Sequence, residues 1–222
     1  MDEAADPPGR VKPLGSFAFA EFRLVLFSFV VGFIGFQMRQ VTNLWLIYEI
    51  TNSPLSLGLL GVFQFAPMLL LVFIGGSVAD MMDRRLLLIL TQVGNFAFAM
   101  VLAVLTLTGS IEVWHIYVTT LATASVNTLE SPARMSVMPR LIPRSHLMNG
   151  ITLVSSGRHA GMLLGPPLAG AMIAWQGPGI AYASISIVFL PSLAALLLMK
   201  PLPPDVGLSS ARWSLGHMLE GL

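Results

Sequence analysis

Six stretches of mostly apolar residues follow one another along the chain, at 24–48, 55–79, 86–108, 113–133, 148–174 and 179–199. A bilayer's hydrocarbon core, roughly 30 Å thick, is crossed by about 20 residues of helix. Lipid offers no partner for a free backbone amide, so runs of this length must be helical. The breaks carry turn residues: Thr51-Asn52-Ser53-Pro54, Thr108-Gly109-Ser110 and Gln176-Gly177-Pro178-Gly179. The expected fold is therefore an all-α integral membrane domain of six transmembrane helices at 22–200. A polar tail at 1–21 precedes it, and a linker or interfacial helix at 201–222 follows. With 10% charged and 55% hydrophobic residues, the chain holds too little polar surface for a water-soluble domain. Its first partner is the lipid bilayer.

Charge sets an expected orientation. Arg10, Lys12 and Arg23 precede the first span, Arg84 and Arg85 follow the second, Arg134, Arg140 and Arg144 follow the fourth, and Lys200 and Arg212 follow the sixth. Ten of the 12 basic residues thus fall on one side, and the three opposite loops have none. Positively charged loops stay in the cytoplasm, so both termini are expected inside the cytoplasmic membrane. A formal net charge of +1 offers too few cations to neutralise a run of phosphates, which argues against a nucleic-acid partner. The absence of cysteine excludes a disulfide framework and a thiolate metal site. No cleavable signal peptide is read at the N-terminus.

Polar residues inside the spans are the candidates for function. A charged side chain at the bilayer centre costs about 2.5–3.5 kcal/mol on insertion scales and normally faces a cavity or a partner. On a helical wheel Arg39, Gln40 and Asn43 share one side of the first span, with Gln37 placed beside them, giving that helix a wet face. Arg39 either lines a cavity or snorkels to the outer interface. Arg158 and His159 lie in the fifth span, where the histidine is either a proton-coupling group or simply hydrogen-bonded. Gln64, Gln92, Asn95 and Asn127 are neutral amides suited to bridging helices, and Gln64 and Asn95 join the candidates for a substrate or proton pathway. No carboxylate is clearly mid-membrane. No Gly-x-Ser-x-Gly, His-Glu-x-x-His or phosphate-loop motif is present, and neither an enzyme nor a metal or cofactor is expected.

Between the second and third spans, Gly76-x-x-x-Asp80-x-x-x-Arg84-Arg85 makes an abrupt knot of charge that also holds Asp83. Plain headgroup anchoring is one reading of the arginines. The motif also resembles the corresponding loop of major facilitator transporters. Trp45 to Pro54, Ser131-Pro132-Ala133-Arg134 and Pro139-Arg140-Leu141-Ile142-Pro143 resemble the exporter branch labelled transmembrane secretion effector, which contains siderophore exporters. The likeness covers about residues 22–200. It implies the N-terminal half of a carrier, built as two inverted three-helix repeats, with Gly76, Asp80, Asp83, Arg84 and Arg85 forming a conformational latch. Glu130 is expected to pair with Arg84 or with Arg134, four residues on.

In the fifth span, Gly157, Gly161 and Gly165 recur every four residues and offer one face for close helix packing. Pro166 and Pro167 are expected to bend the helix beyond that contact. The stretch Gly161-x-x-x-Gly165-Pro166-x-x-Ala169-Gly170 also resembles the antiporter motif of exporting facilitators, which favours efflux. The resemblance therefore implies export of a small molecule, drug-like compound or siderophore by alternating access, with proton antiport as its coupling. The alternative is a split or truncated membrane protein that transports nothing alone. Such a chain would work with a second six-helix half, as a homodimer, or as an interaction protein.

Overall fold

The first span becomes α1, Ala20–Thr51, whose 32 residues reach about 48 Å at 1.5 Å per residue. A computed structural model of the chain describes residues 15–81 and 84–200, without the side chains of 71–81, 129, 131–133 and 136. Helix α1 ends where Asn52 turns left-handed (φ 50°) and its N–H bonds the Tyr48 carbonyl at 2.8 Å. Pro54 then opens α2, Pro54–Met81, suiting the first helical position, where a missing N–H costs nothing. Helix α3 covers Arg84–Leu107 and α4 covers Val113–Leu141. Helix α4 starts with a capping box in which Glu112 and His115 each satisfy the other's backbone. After a short 3-10 turn at Arg144–His146, α5 runs Leu147–Leu198.

Helix α5 holds two of the expected spans. Its backbone leaves helical geometry at Gly177 (φ 81°, ψ 177°), dividing it into arms of residues 147–176 and 178–198. The expected bend at Pro166 and Pro167 is not where the break falls: those residues keep helical φ and ψ, and the departure comes ten residues later, at a glycine followed by Pro178. All the described regular structure is helical. Among the described residues, Ala20–Thr51, Arg84–Leu107 and Arg144–Leu198 are each long and apolar enough to cross a membrane.

Specific contacts set the helix directions. Gly150, Gly157, Gly161 and Gly165 of the first arm meet Phe22, Val30, Phe33 and Gln37 of α1 in the same order, so these two helices run parallel. The second arm runs back along α1, with Ser192 hydroxyl 2.9 Å from that of Ser28 and Tyr182 bonded to Asn43. It is antiparallel to α3 as well, since Gly179 meets Leu107 while Arg85 donates to the Leu197 carbonyl at 2.9 Å. Helices α2 and α4 start side by side, where Tyr117 donates to the Ser56 carbonyl and stacks on Phe63.

Among the described residues, the flanking basic side chains Arg23, Arg84, Arg85, Arg134, Arg140, Arg144 and Lys200 belong to one end of this bundle. There Ser16 donates to the His146 carbonyl, Phe19 meets the His146 ring edge-on, and the Lys200 N–H bonds Glu21 at 3.0 Å. Two small apolar clusters consolidate that end, Val25, Leu88, Val137, Leu196 and Met199 in one, Phe22, Leu26, Met138 and Ile142 in the other. Val137 and Met138 belong to a part of α4 beyond residue 133, the expected limit of the fourth span. Helical hydrogen bonding continues there after hydropathy falls, with Glu130 and Arg134 paired one turn apart.

Candidate functional site

Halfway along the bundle the apolar interior gives way to a buried polar cluster. Arg39 of α1 is only 3% exposed. Its Nη1 donates to Asn95 Oδ1 of α3 at 3.3 Å and to Thr123 Oγ1 of α4 at 3.2 Å. One turn on, Asn43 donates to Thr120 at 3.1 Å and accepts from the Tyr182 hydroxyl at 2.7 Å. Asn95 in turn donates to Asn127 at 3.2 Å. The network ties α1, α3, α4 and the second arm of α5 together and satisfies buried polar groups that would be costly without partners.

Arg39 therefore does not snorkel. Its head is held inward by neutral amide and hydroxyl oxygens, and among the described residues no carboxylate pairs with it. It lines a small cleft with Phe36, Gln40 and Asn43 of α1, Gln64 of α2, and Thr120, Thr123 and Ala124 of α4. The cavity is about 10 Å³, room for about one water. Gln40 and Gln64 are half-buried at its rim, so five candidate positions, Arg39, Gln40, Asn43, Gln64 and Asn95, come together in or beside one cleft.

Others sit elsewhere. Gln37 faces the other way from Arg39: its Cβ lies against Gly165, placing it in the α1–α5 contact instead of the wet face. A separation of two residues turns a side chain about 200° around a helix, which excludes Gln37 from the Arg39 side. Arg158 and His159 are exposed on α5, and His159 Nδ1 lies 2.7 Å from the Ser155 carbonyl oxygen, its acceptor. Neither joins the buried cluster.

The glycine stripe has a direct structural use. A Cβ at Gly161 would come within 2.6 Å of Phe33, one at Gly157 within 2.5 Å of Val30, and one at Gly165 would collide with Gln37. Each glycine lets α1 and α5 approach closely. Gly170 faces open space and takes no part, while Pro166 follows the last contact residue.

At the basic end Glu130 forms its ion pair with Arg134, whose guanidinium also sits 4.5 Å from the Phe29 ring centre. Gly76 and Asp80 are described in backbone only, within α2, and Asp83 lies outside the described residues; of the charged loop motif, Arg84 and Arg85 lie at the start of α3.

Sequence reasoning passed over Thr120, Thr123 and Tyr182, and also Ser28 and Ser192, which pair near the basic end of α1. A hydroxyl in a helix ordinarily bonds the preceding turn, as Thr123 does to the Thr119 carbonyl at 2.6 Å, and so gives no sign of a partner. The available signal was the spacing of Thr119, Thr120 and Thr123, which puts three hydroxyls near one side of α4. Gln92 packs its amide beside Gly32 and leaves Oε1 buried with no partner among the described residues.

Comparison with known proteins places the chain in a family. The family described as transmembrane secretion effector matches residues 11–212. An uncharacterized MFS-type transporter, YfiS of Bacillus subtilis (strain 168), is 25% identical over 154 residues, covering 69% of this chain and 36% of YfiS. The staphyloferrin A transporter of Staphylococcus aureus (strain NCTC 8325 / PS 47) is 27% identical over 174 residues, covering 77% of this chain and 42% of that protein. The chain thus spans about two fifths of the length of these relatives. No solved structure matches it significantly. With nearly its whole length matched, the chain belongs to the transmembrane secretion effector family of major facilitator transporters.

Proposed function

We propose that the chain forms a six-crossing unit of an exporting carrier in the cytoplasmic membrane of a bacterium, with both termini in the cytoplasm. The unit consists of two inverted three-helix repeats, α1 to α3 and α4 to the end of α5. Its contacts support this reading. Exchanging the repeats turns the parallel pair of α1 and the first arm of α5 into the parallel pair of α4 and α2. It also turns the antiparallel pair of α1 and the second arm into the antiparallel pair of α4 and α3. The concentration of basic residues at one end supports a cytoplasmic placement for that end.

The observation that carries the transport reading is the polar cleft where α1, α2 and α4 meet. A small amphiphilic molecule, drug-like or siderophore-like, engages Arg39, Gln40 and Gln64 there. It crosses by rocking of this unit against a second one, which is the alternating-access scheme of inverted-repeat carriers. The glycine motif in α5 favours export, and the printed name of the staphyloferrin relative makes a siderophore one substrate class to test. His159, exposed on α5, is the group in this reading that carries a proton in exchange. A second reading, in which this unit works with a second six-helix unit or a second copy, takes its support from the relatives, of whose length the chain spans about two fifths.

The test is energy-dependent efflux of fluorescent amphiphiles from efflux-deficient bacteria expressing the chain, beside its Arg39→Ala and Asp80→Asn variants. Efflux abolished in both variants supports the carrier. Efflux unchanged in both contradicts the assigned roles. Absence of efflux from cells that insert the chain correctly favours the second reading, in which single cysteines on α1 or α5 should then crosslink two copies in native membranes.

A further inference from the structure

We propose that the Arg39 cleft is a binding site for the carboxylate group of an anionic organic substrate. The inference rests on reading the cleft as the substrate surface, and goes beyond it by naming the chemical class that the surface selects.

The argument begins with donors and acceptors. A guanidinium has five N–H groups and no acceptor. Among the described residues, only Nη1 of Arg39 is hydrogen-bonded, to Asn95 and Thr123. Nε and Nη2 have no acceptor among the described residues, although Arg39 is 97% buried and lines the cleft. The neighbouring polar groups are already engaged. Asn43 donates to Thr120 and accepts from Tyr182, Asn95 donates to Asn127, and Thr123 donates to the Thr119 carbonyl. The network is closed around a cation whose remaining three donors it does not use.

Charge balance narrows the ligand. The cleft lining contains one cation and no carboxylate. A monoanion neutralises it, whereas a phosphate dianion would bring a second negative charge with nothing to meet it. A carboxylate oxygen is also a strong, charge-assisted acceptor for guanidinium N–H groups. Gln40 and Gln64 at the rim supply amide donors. Phe36, whose ring centre is 5.8 Å from the Arg39 Cζ, and Ala124 give the cleft an apolar wall, which suits an organic anion. Space for about one water seats one carboxylate oxygen and leaves the other oxygen and the rest of the molecule on the open side.

Equilibrium dialysis of the full chain in lipid nanodiscs tests this, with benzoate as probe, benzamide as its uncharged counterpart, and inorganic phosphate as the dianion. Benzoate should bind saturably, at least tenfold more tightly than benzamide or phosphate, and raise the thermal unfolding midpoint. Arg39→Gln should weaken benzoate at least tenfold, with Arg39→Lys between the two. Equal binding of benzoate and benzamide, tighter binding of phosphate, no benzoate binding, or an unchanged Arg39→Gln variant would overturn the proposal. If Arg39→Gln does not assemble, the comparison of the three probes on the unaltered chain still decides. Binding needs no transport, so intact benzoate binding without efflux counts against the carrier reading alone, and efflux without benzoate binding counts against this site alone.

Discussion

Tyr182 and Asn43 show at the scale of single residues how much this membrane core depends on completed hydrogen bonds. The Tyr182 hydroxyl donates to Asn43 Oδ1 at 2.7 Å, and both residues are buried. Tyr182→Phe keeps the ring and leaves that oxygen unpaired, which should cost about 1–3 kcal/mol in a detergent unfolding titration. Adding Asn43→Leu removes the stranded acceptor, so the double variant should lose less than the sum of the two single losses. Additive losses would show that the pair contributes no coupling. The polar part of this site was legible in the sequence wherever a residue was costly in lipid. Arg39, Asn43 and Asn95 stand out in any apolar window, whereas Thr120 and Thr123 do not, because a threonine is at ease in a helix on its own. Gln37 was misplaced for a geometric reason, since nearness to Gln40 on the wheel does not make it a neighbour of Arg39.

At the scale of the helix the α1–α5 contact makes ranked predictions. A Cβ at Gly161 meets the ring of Phe33, which can turn aside. A Cβ at Gly165 meets the Cβ of Gln37 and lies 3.2 Å from the Ile34 carbonyl oxygen, neither of which can move without its helix. Gly165→Ala should therefore cost more than Gly161→Ala, with about 1–3 kcal/mol typical of overpacking, and Gly170→Ala should cost nothing. Thermal unfolding of the three variants checks the order, and a loss at Gly170 equal to that at Gly165 would contradict it. The break between the arms of α5 makes a separate prediction. Gly177 adopts φ 81° and ψ 177°, a region that is essentially reserved for glycine. Gly177→Ala should destabilise the chain by about 1–3 kcal/mol through strain, although a Cβ there would touch nothing within 4 Å. Helix ends were largely legible: Asn52, Pro54, Gly109 and Gly177 mark real boundaries. The end of α4 was not, because apolarity reports on lipid contact, while α4 continues to Leu141 through packing against α1 and the ion pair of Glu130 with Arg134.

For the whole molecule, the functional reading depends on six crossings with the basic end in the cytoplasm. Among the described residues three helical stretches carry membrane-length apolar windows, and Arg144–Leu198, at 55 residues, is long enough for two passes about the break at Gly177. An apolar window in the sequence marks a stretch that can cross, but it cannot show which helices touch. That information lies in small residues such as Gly157 and Gly161, whose role becomes visible only when α1 is laid against them. The chain contains no cysteine, so single cysteines can be introduced without background. The most direct measurement is labelling of cysteines placed at Ser53, Ser110, Gln176, Ser145 and Lys200, in intact cells, with a membrane-impermeant maleimide. The account predicts that positions 53, 110 and 176 are labelled from outside, and that 145 and 200 react only after the membrane is opened. External labelling of 145 or 200, or protection of 53, 110 and 176 together, would contradict the six-crossing unit and the carrier built on it.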